Sequence, residues 1–156
     1  MKMRDVLIFD EGYELKVYPD SLGVLSVGIG HNLEADPATV ILHRRLKEGD
    51  TISVHELEAL YQRDIDNVLL NLRRNISQYD NYPEKYQIVL QNIAFNLGSH
   101  GVIQFHGMLF AMTQKDDNGV IREILNSKFA EQLPHRAERL VEIIKGNTPT
   151  EYLSKH

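Results

Sequence analysis

The chain has 156 residues, 42% of them hydrophobic, with 17 basic and 22 acidic side chains and a formal charge of −5. That length makes one ordinary domain able to bury a core, and the acidity excludes broad electrostatic capture of nucleic acid or anionic membrane. There is no cysteine, so disulfides, thiolate metal sites and cysteine nucleophiles are excluded too.

The opening MKMRDVLIFDEG is interrupted by charges and its apolar run is too short for a signal h-region or a membrane span. Synthesis in a cytosol without a signal peptide is the expectation, with no stable membrane insertion. Residues 3–11 fit a short amphipathic helix with Met3, Val6, Leu7 and Phe9 on one side, stopped by Gly12. Glu11 then falls in its last turn. From Leu15 to Ile29 the period changes to two: Leu15, Val17, Leu25, Val27 and Ile29 alternate with polar or small residues. Around the turn residues Pro19-Asp20-Ser21-Leu22-Gly23 this reads as a β-hairpin, with a third short extended stretch at 31–34.

Beyond residue 35 the pattern is helical. Asp36-Pro37 predicts an N-cap and first helical residue, opening a helix to about Leu46 that Gly49 ends. Ser53-Val54-His55-Glu56 is a capping box, and apolar residues from Val54 to Leu72 then recur at helical spacing for about twenty residues, roughly 30 Å. Asn81-Tyr82-Pro83 breaks the chain before an apolar helix at 84–97 that Gly98 follows. Shorter helices are predicted at 106–114, 118–126, 128–132 and 135–145, with breaks at Gly101, Gly119, Pro134 and Gly146. The predicted fold class is α+β. A small lobe covers about 12–53, a connecting helix about 53–75, and a helical lobe about 76–156 joined by the N-terminal helix, leaving a cleft between lobes.

Two acids stand out against this frame. A carboxyl at a helix C-terminus faces the negative end of the helix dipole, which favours its protonated form, so Glu11 is suited to donate a proton. Asp20, on a hairpin turn, is suited to act as the carboxylate of a pair, and unequal acids of this kind are what glycoside hydrolysis needs. Other motifs fail. Gly28-Ile29-Gly30 lacks the third glycine of a dinucleotide loop, where Leu33 stands, and no helix begins there. Asp116-Asp117-Asn118-Gly119 lacks the alternating ligands of a calcium loop and reads as a turn and helix cap. The seven histidines include no HExxH spacing, so no metal or other cofactor is expected.

The stretch DEGYELKVYPDSLGVLSVGIGH, residues 10–31, resembles the N-terminal signature of the phage T4-type lysozymes, the muramidase family of endolysins, through Glu11-Gly12, Leu15, Tyr18, Asp20, Gly23 and Gly28-Ile29-Gly30-His31. Looser likeness continues through Arg63-Asp64-Ile65-Asp66, Asn92-Ile93-Ala94-Phe95-Asn96-Leu97-Gly98 and Pro134-His135-Arg136-Ala137-Glu138-Arg139. The resemblance implies a lysozyme-like fold. It also implies hydrolysis, with inversion and without a cofactor, of the β-1,4 bond between N-acetylmuramic acid and N-acetylglucosamine in peptidoglycan. Glu11 would be the general acid and Asp20 the second carboxylate. Ser26 stands where the family has threonine, a hydroxyl that positions the attacking water; serine keeps the hydrogen-bonding group and loses the β-branch.

His31 and Asp64 match a structural ion pair of the family, which would raise the imidazole pKa. Arg136 falls where the family has an arginine near the catalytic glutamate. Asn32, Phe95, Asn96, Met108 and Gln132 align with saccharide-binding positions, with Asn32 and Met108 differing in residue type. Core packing is the competing reading for Phe95 and Met108. Phe129 replaces an aromatic that is more often tryptophan, a residue this chain lacks. The expected partner is peptidoglycan glycan strands in the periplasm, met by a monomeric phage or prophage endolysin that a holin, a secretion apparatus or cell rupture delivers. The alternatives are a secreted antibacterial effector, a tail lysozyme, or a non-catalytic peptidoglycan-binding protein on the same fold.

Overall fold

A computed structural model describes residues 2–153. Among them, eight α-helices and one three-stranded antiparallel sheet are arranged in the chain order α, three β, then seven α. The chain divides into two compact units. One consists of Leu7–Asn67; the other combines Met1–Val6 with Val68–His156. The divisions fall inside the first helix, α1 (Met3–Glu11), and inside the third, α3 (Val54–Asn75).

The smaller unit begins with the second half of α1. Leu7 and Ile8 are both buried, as is Val6 before them, whereas Phe9 is 39% exposed. This corrects the predicted apolar face: three successive buried residues sweep about 200° of helix, so α1 is enclosed on most sides and Phe9 falls in the gap. Gly12 closes the helix with φ +95° and donates its N–H to the Ile8 carbonyl at 2.9 Å.

Strands β1 (Glu14–Pro19), β2 (Leu25–Gly28) and β3 (His31–Asn32) follow in spatial order β1-β2-β3. Tyr18 pairs with Ser26, and Ser26 with Asn32, which sets these three across one row of the sheet. Val27 pairs with His31 in the next row. The outer edge of β1 is not left open: Val17 donates to the Asp50 carbonyl, Gly49 to Val17, and Ile52 to Leu15, so residues 49–52 cover it.

The predicted helix at 37–46 shrinks to a single turn, α2 (Thr39–Leu42), flanked by Ala38 and His43 at φ +56° and +57°. Asp36 is the reason at the start. Its Oδ1 accepts from the N–H of Ala38, two residues on, and its Oδ2 pairs with Arg63, which makes an Asx turn instead of a helix cap. At the far end Arg44 holds the Leu42 carbonyl, the Thr51 carbonyl and Glu56, drawing the chain out of the helix. The capping box forms as predicted: Ser53 Oγ accepts from Glu56 N–H and Glu56 Oε1 from Ser53 N–H, each at 3.0 Å. Glu56 thereby gains Arg44 and the Ser53 amide as partners, which hold its pKa down at about 2.

The helical unit contains α4 (Glu84–Ile103), α5 (His106–Thr113), α6 (Asp117–Leu125), α7 (Lys128–Gln132) and α8 (Pro134–Ile144). Gly98 interrupts α4 with φ +79° and ψ 164°, so the stop predicted there appears as a kink and the chain winds on to Ile103. Gly119 is no break. Asp116 caps α6 by accepting the Gly119 N–H on Oδ1, the cap reading given to Asp116-Asp117-Asn118-Gly119. Pro134 is the first residue of α8, where a missing N–H costs nothing. The core gathers Val6, Leu72, Tyr86, Leu90, Ile93 and Leu140. No helix among the described residues is long and apolar enough to cross a membrane.

The charge is divided unevenly. The smaller unit carries twelve acidic and five basic side chains, a net −7, and the helical unit ten and twelve, a net +2.

Candidate active site

Most of the chemistry predicted from sequence falls in the smaller unit. Glu11 is the last residue of α1, and its Oε1 is shielded from solvent. The backbone at Gly30 comes close against it: a Cβ built on Gly30 would stand 2.6 Å from Glu11 Cβ and 3.0 Å from its Oε2. Gly30 has φ +62° in the tight turn between β2 and β3.

Asp20 sits at the mouth of the β1–β2 turn. Its Oδ1 accepts the N–H groups of Leu22 and Val24 at 2.8 and 2.9 Å, while its own N–H donates to the Val24 carbonyl. The turn is therefore built around this one oxygen, and Oδ2 is the oxygen the turn does not use. Ser26 is buried, and its hydroxyl donates to the Val24 carbonyl at 3.3 Å. A serine has one proton to give and two lone pairs to receive with, so Ser26 keeps acceptor capacity toward a water. The alternation predicted Ser26 on an outward face; its burial means that both faces of β2 are covered.

Tyr18 connects these groups. Its phenol pKa is raised, first by burial, then by the charges of Glu14, Asp20 and Glu11. Both candidate carboxylates thus act on one phenol, and that phenol's residue pairs with Ser26 across the sheet. Tyr18 and Gly30 were legible only as signature residues; neither composition nor period assigns them a role.

His31 is buried on the neighbouring row. Nδ1 donates to Asp64 Oδ2 at 2.6 Å and Nε2 to the Asp36 carbonyl at 2.8 Å. Two acceptors require two protons, so the ring is an imidazolium. Burial alone would lower its pKa, but the hydrogen bond and charge of Asp64, with the Asp36 carbonyl and carboxylate, outweigh this and raise it. Arg63 bridges the two acids by pairing with Asp36 and approaching Asp64 Oδ1 at 3.6 Å. Asn32 is exposed, and its Oδ1 accepts from the N–H groups of Glu34 and Ala35. Turn formation occupies that oxygen, which leaves only the amide nitrogen for a ligand.

The remaining candidates lie in the helical unit. Arg136 is buried and donates through Nε and Nη2 to the side chain and carbonyl of Asn92. Phe95 is half-buried and Asn96 exposed near the end of the regular part of α4. Gln132 is exposed and, with Phe129, Phe105 and Glu123, lines a cavity of about 520 Å³. Met108 corrects its predicted sugar contact: its side chain is 0% exposed and belongs to the helical core. Met108→Ala is expected to destabilise by about 2–3 kcal/mol through the cavity it leaves, with the specific activity of the folded fraction unchanged; denaturant unfolding and a wall-lysis assay check the two halves. Among the described residues no three His, Asp or Glu side chains are grouped to hold a metal ion.

The sequence profile of the phage lysozyme family matches residues 9–139. The chain belongs to that family. Family membership places it among glycoside hydrolases that act on peptidoglycan. Two relatives from Dictyostelium discoideum, "Probable T4-type lysozyme 2" and "Probable T4-type lysozyme 1", are 29% and 26% identical, each over 96% of this chain and 97% of the relative. The "Pre-baseplate central spike protein Gp5" of Enterobacteria phage T4 is 30% identical over 92% of this chain and 28% of its own length. The match to the phage lysozyme profile takes in Glu11, Asp20, Ser26, His31 and Asp64, as well as Arg136 in the helical unit.

Proposed function

We propose that this lysozyme-family protein hydrolyses the β-1,4 bond between N-acetylmuramic acid and N-acetylglucosamine with inversion. Glu11 protonates the leaving glycosidic oxygen. Asp20 Oδ2 and Ser26 Oγ receive and align the water that attacks the sugar carbon from the opposite face, Asp20 taking its proton as the bond breaks. The observation that supports this reading best is the joint action of Glu11 and Asp20 on Tyr18, with Ser26 directly across the strand pair. Ser26 fits the water-holding task because its own proton is given to Val24. Phe95, Asn96 and Gln132 are the helical-unit side chains offered to the glycan.

Digestion of purified peptidoglycan tests the chemistry. Mass analysis is expected to find reducing ends, each heavier by one water than an anhydro end, and early NMR spectra the α-anomer. Anhydro ends would replace hydrolysis with transglycosylation, and a β-anomer would remove the inverting role of the water.

An endolysin acting in host lysis is the first biological setting. The match to the pre-baseplate central spike protein favours a tail-borne lysozyme as the second. Detection of the protein inside purified particles would select the second, and its restriction to lysing cells the first.

A further inference from the structure

The run Gly28-Ile29-Gly30-His31 holds two glycines in the left-handed region, with φ +70° and +62°. Any other residue would meet the same backbone cost at both positions. Their surroundings differ. A Cβ on Gly28 would find Leu57 and Leu60 carbons at 3.7–3.9 Å, ordinary packing distance. A Cβ on Gly30 would overlap Glu11 Cβ at 2.6 Å and crowd its Oε2 at 3.0 Å and Cγ at 3.2 Å. The near atom is the root of the Glu11 side chain. Rotation about the glutamate's own bonds cannot move that carbon away, so α1 or the turn must shift.

We infer that Gly30 is a positioning residue whose bare backbone forms the wall against which the Glu11 carboxyl is set, whereas Gly28 serves only the turn. The inference rests on Glu11 acting as the general acid. It gives the second glycine of the run a task that turn geometry does not: any side chain there displaces the proton donor. A misplacement of about 1 Å costs on the order of 100-fold in rate.

The paired variants Gly28→Ala and Gly30→Ala separate the two tasks, because the backbone strain is shared and only the second touches Glu11. Gly30→Ala is expected to lose about 100-fold more kcat than Gly28→Ala. The alkaline limb of its kcat profile, where a general acid gives up its proton, is expected to move, and that of Gly28→Ala to stay. Melting supplies a readout independent of activity. The extra loss of Tm in Gly30→Ala over Gly28→Ala is expected to vanish in a Glu11→Gly background, where the colliding carbon is absent. Equal kcat and equal Tm losses in the two alanine variants, or an excess that persists in the Glu11→Gly background, would overturn the inference. Full wall hydrolysis by Glu11→Gln would instead overturn the assignment of the acid, while the melting comparison would still report on the contact.

Discussion

Glu11→Gln is expected to lower wall hydrolysis by at least about 10³-fold, within the range a positioned general acid contributes. The amide keeps the size of the side chain at the end of α1 and removes its transferable proton. Leaving-group departure then has no donor, because in the proposed reaction the remaining carboxylate, Asp20, takes the proton of the attacking water and has none to give. Turbidity loss of permeabilised Gram-negative cells checks this, with circular dichroism confirming that the variant is folded. Retained lysis would reassign the acid; retained wall binding without lysis is the expected phenotype. If the unaltered protein binds and does not lyse, the non-catalytic reading takes over.

Asp64→Asn is expected to give the largest loss of stability, about 3–5 kcal/mol, because it leaves the buried His31 imidazolium without its counter-charge. For a chain of this length that corresponds to a fall in Tm of roughly 6–20 °C. The pH dependence has a definite sign. The His31 pKa is raised in the folded protein, so the folded state binds the proton more tightly than the unfolded chain, whose histidine titrates near 6.5. The stabilisation is complete below about pH 6.5 and is lost as pH rises through the folded-state value. Asp64→Asn should flatten that part of the stability curve. Urea unfolding of both proteins from pH 5 to pH 9 measures it, and parallel curves would mean that the pair does not couple folding to the proton.

The sequence carried most of the fold because its local signals agreed with one another. Gly12, the capping box at Ser53 and Glu56, and Pro134 each fix the start or end of a helix by their own stereochemistry, and Gly12 also sits where the apolar period changes from helix to strand. The failures share one cause. Asp36-Pro37 looks like a helix start, but a partner 27 residues away, Arg63, claims the Asp36 carboxylate and no local rule can see it. Ser26 reads as outward by alternation and is buried, because both faces of its strand are covered.

The site was readable to a similar depth. Spacing could name Glu11 and Asp20, yet the oxygen of Asp20 consumed by the turn and the nearness of Gly30 to Glu11 exist only once the chain is folded. Met108 shows the opposite limit: alignment with a binding position does not say which way a methionine points, and this one fills the core.

The division of the chain has a consequence for biosynthesis. Residues 7–67 are continuous, so that unit can assemble as soon as it clears the ribosome. The other must wait: Val6 packs in a cluster that also contains Ile144 and Tyr152, so its segment stays without its packing partners until those far later residues have been made. Such closure of distant segments is entropically slow, and it makes translation itself the timer for completing the helical core.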